Sequence, residues 1–295
     1  MAENPAKRLK SAKDAPYKLV YWPGLPGRGE HVRLAFEEAG VAYTDTAQTK
    51  DAIANVQALI GTDNIGDGAN VPPFAPPILV HGDLTISQTP NILLYLGPRL
   101  GLVPPSSSSD ENSGDNTNND ELYRINALVL TALDGLSNEV HDCHHPVSTG
   151  LYYEDQKAEA LRRSQDFVAS RLPKFLAYFE RVLAGRAAAA AEKKSSGGGS
   201  SSSSSSNGPY FYGATVSYAD LVLFHCLDGT QHQFTRAVHA ARDSGAYARV
   251  FALYDAVRAR PRIAAYLASE RRLKYGNGIY RHYKELDVLP PKEEK

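Results

Sequence analysis

The sequence has 295 residues, of which 42% are hydrophobic and 22% charged, and its 32 basic and 33 acidic residues leave a formal net charge of −1 at pH 7. This length is sufficient for two domains, and the balanced charge gives no electrostatic basis for binding nucleic acid. No apolar run approaches the roughly 20 residues that a membrane helix needs, so we expect no membrane partner.

The first residues, 1–16, contain no apolar core of the secretory type, and we predict a disordered tail there. Cys143 and Cys226 are the only cysteines, and they form neither a C-x-x-C pair nor a disulfide framework. A reducing compartment fits this usage, so we expect a cytoplasmic protein.

Residues 17–103 alternate between strand and helix patterns. The predicted elements are a strand at 17–22, a helix at 29–39 closed by Gly40, a strand at 42–46, a helix at 50–60, a hairpin of "PPILV" and "LTIS" around "HGD", and a helix along "NILLYLGPRLG". The order βαβαββα is that of a thioredoxin-like mixed sheet with helices on both faces.

Two low-complexity segments interrupt the rest of the chain. Residues 104–120 are almost wholly polar and predict an interdomain linker. Residues 186–209 begin as a helical extension through alanines and become a Gly/Ser loop. Residues 121–295 otherwise predict an all-α domain, with helices at 121–142, 154–185, 217–229, 247–259 and 262–270.

The stretch "LVYWPGLPGRGEHVRLAF" places Tyr21 near the carboxyl end of the first strand. Ligands of open α/β sheets bind beyond such strand ends, where the next helix presents unpaired amides. The tyrosine hydroxyl would then lie beside a site for an anion. The alternative is that Tyr21 only packs in the core, and position alone does not decide between the two.

Three blocks in the correct order carry a resemblance to a known family: "VYWPGLPGRGEHVRLAF", "PPILVHGDLTISQTPNILLYLG", and "VSYADLVLF" followed by "VRARPRIAAYLAS". Together they resemble the cytosolic glutathione S-transferases of the tyrosine type, similar to fungal and sigma-like members. The resemblance implies the glutathione S-transferase fold, with glutathione as co-substrate in the first domain. The helical domain would supply most of the pocket for a hydrophobic electrophile.

The resemblance assigns Tyr21 as the donor of a hydrogen bond that favours the glutathione thiolate, and Trp22 beside it to the glutathione site. Arg28 matches an arginine that helps to hold the site, although the loop before it is one residue longer than in common relatives. Lys50 is the only Lys or Arg between Arg33 and Arg99. It is the candidate cation that pairs with the glycyl carboxylate of glutathione.

Pro77 matches the cis-proline of the family. In the family, the cis bond turns the backbone so that the residue before this proline can pair with the cysteinyl unit of glutathione. Here that residue is Pro76, which has no N–H, so one backbone hydrogen bond must be missing or shifted to Ala75. A rigid polyproline loop is the alternative. Gln88 and Thr89 match the pair that holds the γ-glutamyl end. Thr89 is also predicted to cap a helix that begins at Pro90.

Other motifs have structural explanations. The spacing of Ser217 and Asp220 predicts a capping box. The run "HDCHH" has no second ligand cluster, so we predict no metal site. Phe74 is a candidate for insertion into a partner subunit. Tyrosines in the helical half are either part of the electrophile pocket or ordinary packing residues: Tyr152, Tyr153, Tyr275, Tyr280 and Tyr283.

The function that these residues imply is conjugation of the glutathione thiolate to hydrophobic electrophiles, an activity of detoxification, by a homodimer. Two alternatives keep the fold. One is a non-catalytic protein that binds glutathione or hydrophobic ligands, and the other is a glutathione-dependent isomerase or peroxidase.

Overall fold

The computed structural model describes residues 15–104, 120–195 and 208–289. Most of the predicted tail, the linker and the Gly/Ser part of the predicted loop lie outside these residues. The chain forms two compact units. One comprises the described residues up to Gly101 together with Pro261–Lys274, and the other comprises the described residues of Leu102–Arg260 and those from Tyr275 onward.

The first unit contains a four-stranded sheet in the order β2-β1-β3-β4. Its strands are β1 (Tyr17–Val20), β2 (Tyr43–Asp45), β3 (Ile78–His81) and β4 (Leu84–Ser87). β1 is parallel to β2 and antiparallel to β3, and β3 and β4 form the predicted hairpin. Gly82 adopts φ +61° in the turn of this hairpin, where a glycine is favoured. The predicted mixed sheet is therefore confirmed.

Helices cover both faces of this sheet, as predicted. The helices of the unit are α1 (Gly29–Ala39), α2 (Ala52–Ile60), α3 (Thr89–Arg99) and a late α11 (Pro261–Leu267), with a 3₁₀ turn at Thr46–Gln48. One face buries side chains of β1, β3, α1 and α3, and the other those of β1, β3 and α2. Leu19 and Val20 point to opposite faces, which explains the unbroken apolar run in β1.

Some predicted boundaries were wrong by a few residues. β1 ends at Val20 rather than at residue 22, because the next partner in the register with β3 is Pro77, which cannot donate to the ladder. α2 begins at Ala52 rather than at residue 50. Gly40 ends α1 in the left-handed conformation at φ +68°, as expected.

Within its described residues, the second unit is helical apart from two isolated β-bridges. Its helices are α4 (Asp120–Leu130), α5 (Asn138–Asp142), α6 (Lys157–Asp166), α7 (Leu172–Ser195), α8 (Tyr218–Gln233), α9 (Thr235–Asp243) and α10 (Ala248–Arg258). π-helical turns at Thr131–Ser137 and Phe167–Arg171 join α4 to α5 and α6 to α7. The sequence prediction missed α9, whereas the helical extension through the alanines of α7 is confirmed.

The predicted capping box at the start of α8 is confirmed. Asp220 is fully buried and accepts hydrogen bonds from the Ser217 amide at 2.7 Å, the Ser217 hydroxyl at 2.7 Å and the Phe211 amide at 2.9 Å. Burial raises the pKa of this carboxyl to about 6, against the effect of these hydrogen bonds. None of the helices in the described residues is long and apolar enough to cross a membrane.

Candidate active site

The predicted site residues of the first unit follow or precede strands that end at one edge of the sheet. β1, β2 and β4 run in the same direction, and β3 runs against them. Tyr21 and Gln88 directly follow β1 and β4, and Pro77 directly precedes β3. Lys50 follows the 3₁₀ turn after β2. The topology thus brings these four positions to the same edge.

The Tyr21 hydroxyl oxygen accepts a hydrogen bond from the backbone amide of Arg28 at 2.8 Å. Only 5% of the Tyr21 residue surface is exposed, and burial raises the pKa of its phenol, while the Arg28 amide acts in the opposite direction. The phenol therefore keeps its proton at neutral pH. Because its oxygen is already an acceptor, its hydrogen is left to donate to an anion.

Two glycines of the loop make room for the Tyr21 ring. A β-carbon at Gly27 would overlap the Tyr21 hydroxyl, and Gly27 also has φ +46°. A β-carbon at Gly29, the first residue of α1, would lie 2.8 Å from the ring carbon Cγ. These distances are shorter than ordinary van der Waals contacts, so both positions require glycine. The glycines of "PGRG" are thus explained by the tyrosine that they cover.

Arg28 contacts Tyr21 through its backbone, whereas the side chain of Trp22 packs in the core. Arg28 is the N-terminal cap residue of α1, and it is its backbone amide that contacts the phenol. Trp22 is partly buried and packs against a cluster of Val20, Val56 and Ile78. The side chain of Trp22 therefore helps to hold α2 on the sheet.

The peptide bond between Pro76 and Pro77 is cis, as predicted. Pro77 is buried, while Ala75 and Pro76 are partly exposed. Among the described residues, no backbone hydrogen bond engages Ala75. Ala75 therefore keeps both its N–H and its carbonyl available at this edge, whereas Pro76 offers only a carbonyl.

The predicted capping role of Thr89 was wrong. α3 begins at Thr89 itself, with Gln88 as its cap residue, and no side chain of the described residues caps this end. The Thr89 hydroxyl is buried without a hydrogen-bond partner in the described residues. Pro90 removes one N–H in the first turn, and the remaining first-turn amides are left for a ligand or water.

Gln88 carries an unusual backbone conformation that the sequence did not indicate. It is the one described non-glycine residue with positive φ, at φ +71° and ψ 117°. Such conformations cost about 1–3 kcal/mol and concentrate at functional sites. Gln88 is exposed, and so is Lys50. Both side chains are therefore accessible from solvent.

Comparison with known proteins gives a consistent result. Residues 141–270 match the family model "Glutathione S-transferase, C-terminal domain". A glutathione S-transferase of Plasmodium falciparum (isolate 3D7) is 25% identical over 217 residues, which are 73% of this chain and 81% of the relative. "Glutathione S-transferase P 1" of Xenopus laevis is 25% identical over 260 residues, 88% of this chain and 94% of the relative. The chain is thus similar to glutathione S-transferases over most of its length.

Solved structures agree on the glutathione S-transferase fold. The Pi-class glutathione S-transferase of Onchocerca volvulus aligns with a TM-score of 0.54 and 21% identity, and the alignment covers 85% of this chain and 91% of that one. The structure of NaGST-2 aligns with a TM-score of 0.52 and 18% identity, over 88% of this chain and all of that one. The predicted fold class is confirmed.

The first unit also has a buried ion cluster beneath the Tyr21 loop that sequence analysis missed. Arg33 is fully buried and binds Asp45 at 2.7 Å and Glu30 at 3.2 Å. It also donates to the Pro26 carbonyl at 3.0 Å. Arg33 therefore ties the loop to the end of β2. The only signal in the sequence was a charged residue on the apolar face of α1.

Proposed function

We propose that this protein conjugates glutathione to hydrophobic electrophiles, with Tyr21 as the residue that stabilises the thiolate. The observation that carries the proposal is the protonated, buried phenol of Tyr21, whose oxygen accepts from the Arg28 amide at 2.8 Å. The thiolate attacks an electrophilic carbon, a sulfur–carbon bond forms and, with an aryl halide, the halide leaves. The product is a thioether.

One hydroxyl and one helix N-terminus can supply the free energy that is needed to stabilise the glutathione thiolate. Lowering a thiol pKa from about 8.5 to about 6.5 needs roughly 2.7 kcal/mol of preferential stabilisation of the anion. A hydrogen bond to a charged group contributes about 1.5–3 kcal/mol, and a helix N-terminus about 0.3–1 kcal/mol. The Arg28 amide polarises the phenol and strengthens it as a donor.

The rest of glutathione is held, in this proposal, by groups at the same edge of the sheet. The free N–H and carbonyl of Ala75 pair with the cysteinyl unit, since Pro76 cannot donate. The first-turn amides of α3, with Gln88 and Thr89, receive the γ-glutamyl carboxylate. Lys50 pairs with the glycyl carboxylate.

We further propose a tyrosine-type, sigma-like or fungal-like enzyme that works as a homodimer in detoxification in the cytoplasm. Two observations support parts of this. Cys143 and Cys226 are buried and form no disulfide, as suits a reducing compartment. Phe74 is 89% exposed, with Val71 at 79% and Ile65 at 87% on the same segment, which supports a subunit interface in the first unit.

Replacing Tyr21 with Phe tests the mechanism. We expect Y21F to be retained on immobilised glutathione but to conjugate a generic aryl halide about tenfold to a hundredfold more slowly, because one charged hydrogen bond is lost. The matched control is Y17F, which removes a hydroxyl at the opposite end of β1 and should keep full activity. Ultraviolet titration of the glutathione complex should show the thiolate at pH 7 in the wild type and in Y17F, but not in Y21F.

Equal rates for Y21F and Y17F would contradict the role of Tyr21. Wild-type protein that is retained on glutathione but transforms no substrate would instead be a binder. Parallel assays with a prostaglandin endoperoxide and an organic hydroperoxide separate conjugation from isomerisation and peroxide reduction. Preference for either of these substrates over the aryl halide would contradict conjugation as the main reaction.

A further inference from the structure

Three of the nine histidines of the chain converge in the second unit, at the run "HDCHH". α5 ends at Asp142, and the turn that follows brings the rings of His144 and His145 back towards His141. The ring centroids of His144 and His145 lie 5.0 Å and 5.5 Å from that of His141. One nitrogen from each ring lies within 4.8 Å of the other two.

The His144 ring is held in one orientation and one tautomer. Its Nε2 lies 2.7 Å from the Ile279 carbonyl oxygen, which can only accept, so Nε2 carries the hydrogen. The lone pair of the neutral ring is then on Nδ1, which lies 2.5 Å from Nδ1 of His145. A backbone carbonyl that fixes one ring nitrogen while the other faces a shared point is the arrangement that orients metal-binding histidines.

The donor atoms of this cluster are nitrogens rather than sulfur. The Cys143 thiol contacts the Glu139 carbonyl oxygen at 3.2 Å, and its sulfur is not part of the group of ring nitrogens that lie within 4.8 Å of one another. The positive charge of Arg281 disfavours a cation at the three histidines. The Asp142 carboxylate, which lies 3.7 Å from His141 Nδ1, favours one.

We propose that His141, His144 and His145 bind a divalent transition-metal ion, with Zn²⁺ as the first candidate. Imidazole donors suit zinc, copper and nickel, and three protein ligands leave a fourth position for water. The metal takes the place of the proton between the two facing Nδ1 atoms, and that proton moves to Nε2 of His145. The side chain of His141 is 25% exposed, which provides an entry path.

The rearrangement that this requires between the two facing rings of His144 and His145 is small. Tetrahedral zinc with Zn–N bonds of about 2.0–2.1 Å separates ligand nitrogens by about 3.3 Å, so the two Nδ1 atoms must move apart by less than about 1 Å. His145 can move, because among the described residues its only hydrogen bond is the one to His144. His144 stays anchored on Ile279.

Calorimetric titration of the chelator-treated full-length protein with zinc sulfate tests the proposal. We expect one equivalent to bind, and we expect H141A and H145A each to weaken the affinity by at least about tenfold. The matched control is H239A, which removes an exposed histidine of α9 and should bind zinc like the wild type. Absence of saturable binding in the wild type, or unchanged affinity in the H141A/H145A double variant, would overturn the proposal.

Cobalt spectroscopy provides a second readout that does not depend on the fold of the variants. The wild type loaded with Co²⁺ should show the visible bands of a tetrahedral site without a thiolate charge-transfer band. A thiolate band would assign the metal to a cysteine and overturn the ligand set. Circular dichroism shows whether each variant is folded. If H145A does not fold, H141A alone tests the site, because His141 is the more exposed of the two residues.

Discussion

At the scale of single residues, the Tyr21 loop depends on glycine for two separate reasons. Gly27 and Gly24 both have positive φ, at +46° and +76°, but only Gly27 faces the Tyr21 hydroxyl, while a β-carbon at Gly24 would meet open space. We expect G24A to cost about 1–2 kcal/mol of stability, the backbone penalty alone, and to leave activity close to that of the wild type. We expect G27A to cost more and also to slow conjugation, because the phenol is displaced.

Urea denaturation and kcat/KM of both variants measure this difference. G29A extends the comparison, since Gly29 has an ordinary helical backbone and only the contact with the Tyr21 ring would change. If G27A and G24A matched in both stability and activity, the close packing of the loop on the phenol would have no functional consequence.

A second residue-scale prediction concerns Asp220. Its pKa is raised from 3.8 to about 6 in the folded protein, so the folded state binds the proton more tightly than the unfolded state. Its contribution to the free energy of unfolding is therefore fully present below about pH 4 and is lost as the pH rises through about 6. The change is at most roughly 3 kcal/mol.

Comparison with D220N isolates this effect from the other carboxylates. The variant cannot titrate at this position, so the stability difference between wild type and D220N should narrow as the pH rises from 4 to 7. Urea midpoints measured at four or five pH values suffice. A difference that stays constant over this range would mean that the carboxyl keeps its ordinary pKa in the folded protein.

At the scale of elements, α1 forms two kinds of ion pair that should differ in strength. Arg33 is fully buried with Glu30 and Asp45, whereas Arg271 pairs with Glu37 at 2.9 Å and its side chain is 56% exposed. We expect R33M to cost about 3–5 kcal/mol, because it leaves the Asp45 carboxylate without this ion pair and leaves the buried Glu30 with Arg272 at 3.3 Å. R271A should cost less than about 1 kcal/mol, since solvent screens the pair.

Chemical denaturation of the two variants in low and high salt checks this expectation. The loss in R33M should be nearly independent of salt, and the small effect of R271A should shrink as salt increases. Equal losses would show that burial does not distinguish the two pairs. If R33M fails to fold, R33K provides the measurement, because it keeps the charge but loses the planar fork that reaches both Asp45 and Pro26.

Sequence patterns were sufficient for the elements but not for the contacts between them. The alternation of apolar residues and the turn glycines predicted the βαβαββα order, and the capping box of Ser217 and Asp220 was predicted and found. Arg33 was missed because its partner Asp45 is twelve residues away and a pattern does not reveal which face a charge meets. The positive φ of Gln88 was missed because glutamine is not a residue that favours it.

At the scale of the whole molecule, the assembly of two chains is a prediction separate from the chemistry at Tyr21. Phe74 is 89% exposed, and burial of this large apolar side chain against a second chain would stabilise a dimer. If Phe74 anchors a homodimer, F74S should weaken the dimer by roughly 2 kcal/mol or more, about thirtyfold in its dissociation constant. Light scattering over a dilution series measures this, with Y152S as the control, because Tyr152 is 80% exposed in the other unit. Dissociation of both variants alike, or of neither, would remove Phe74 as the anchor.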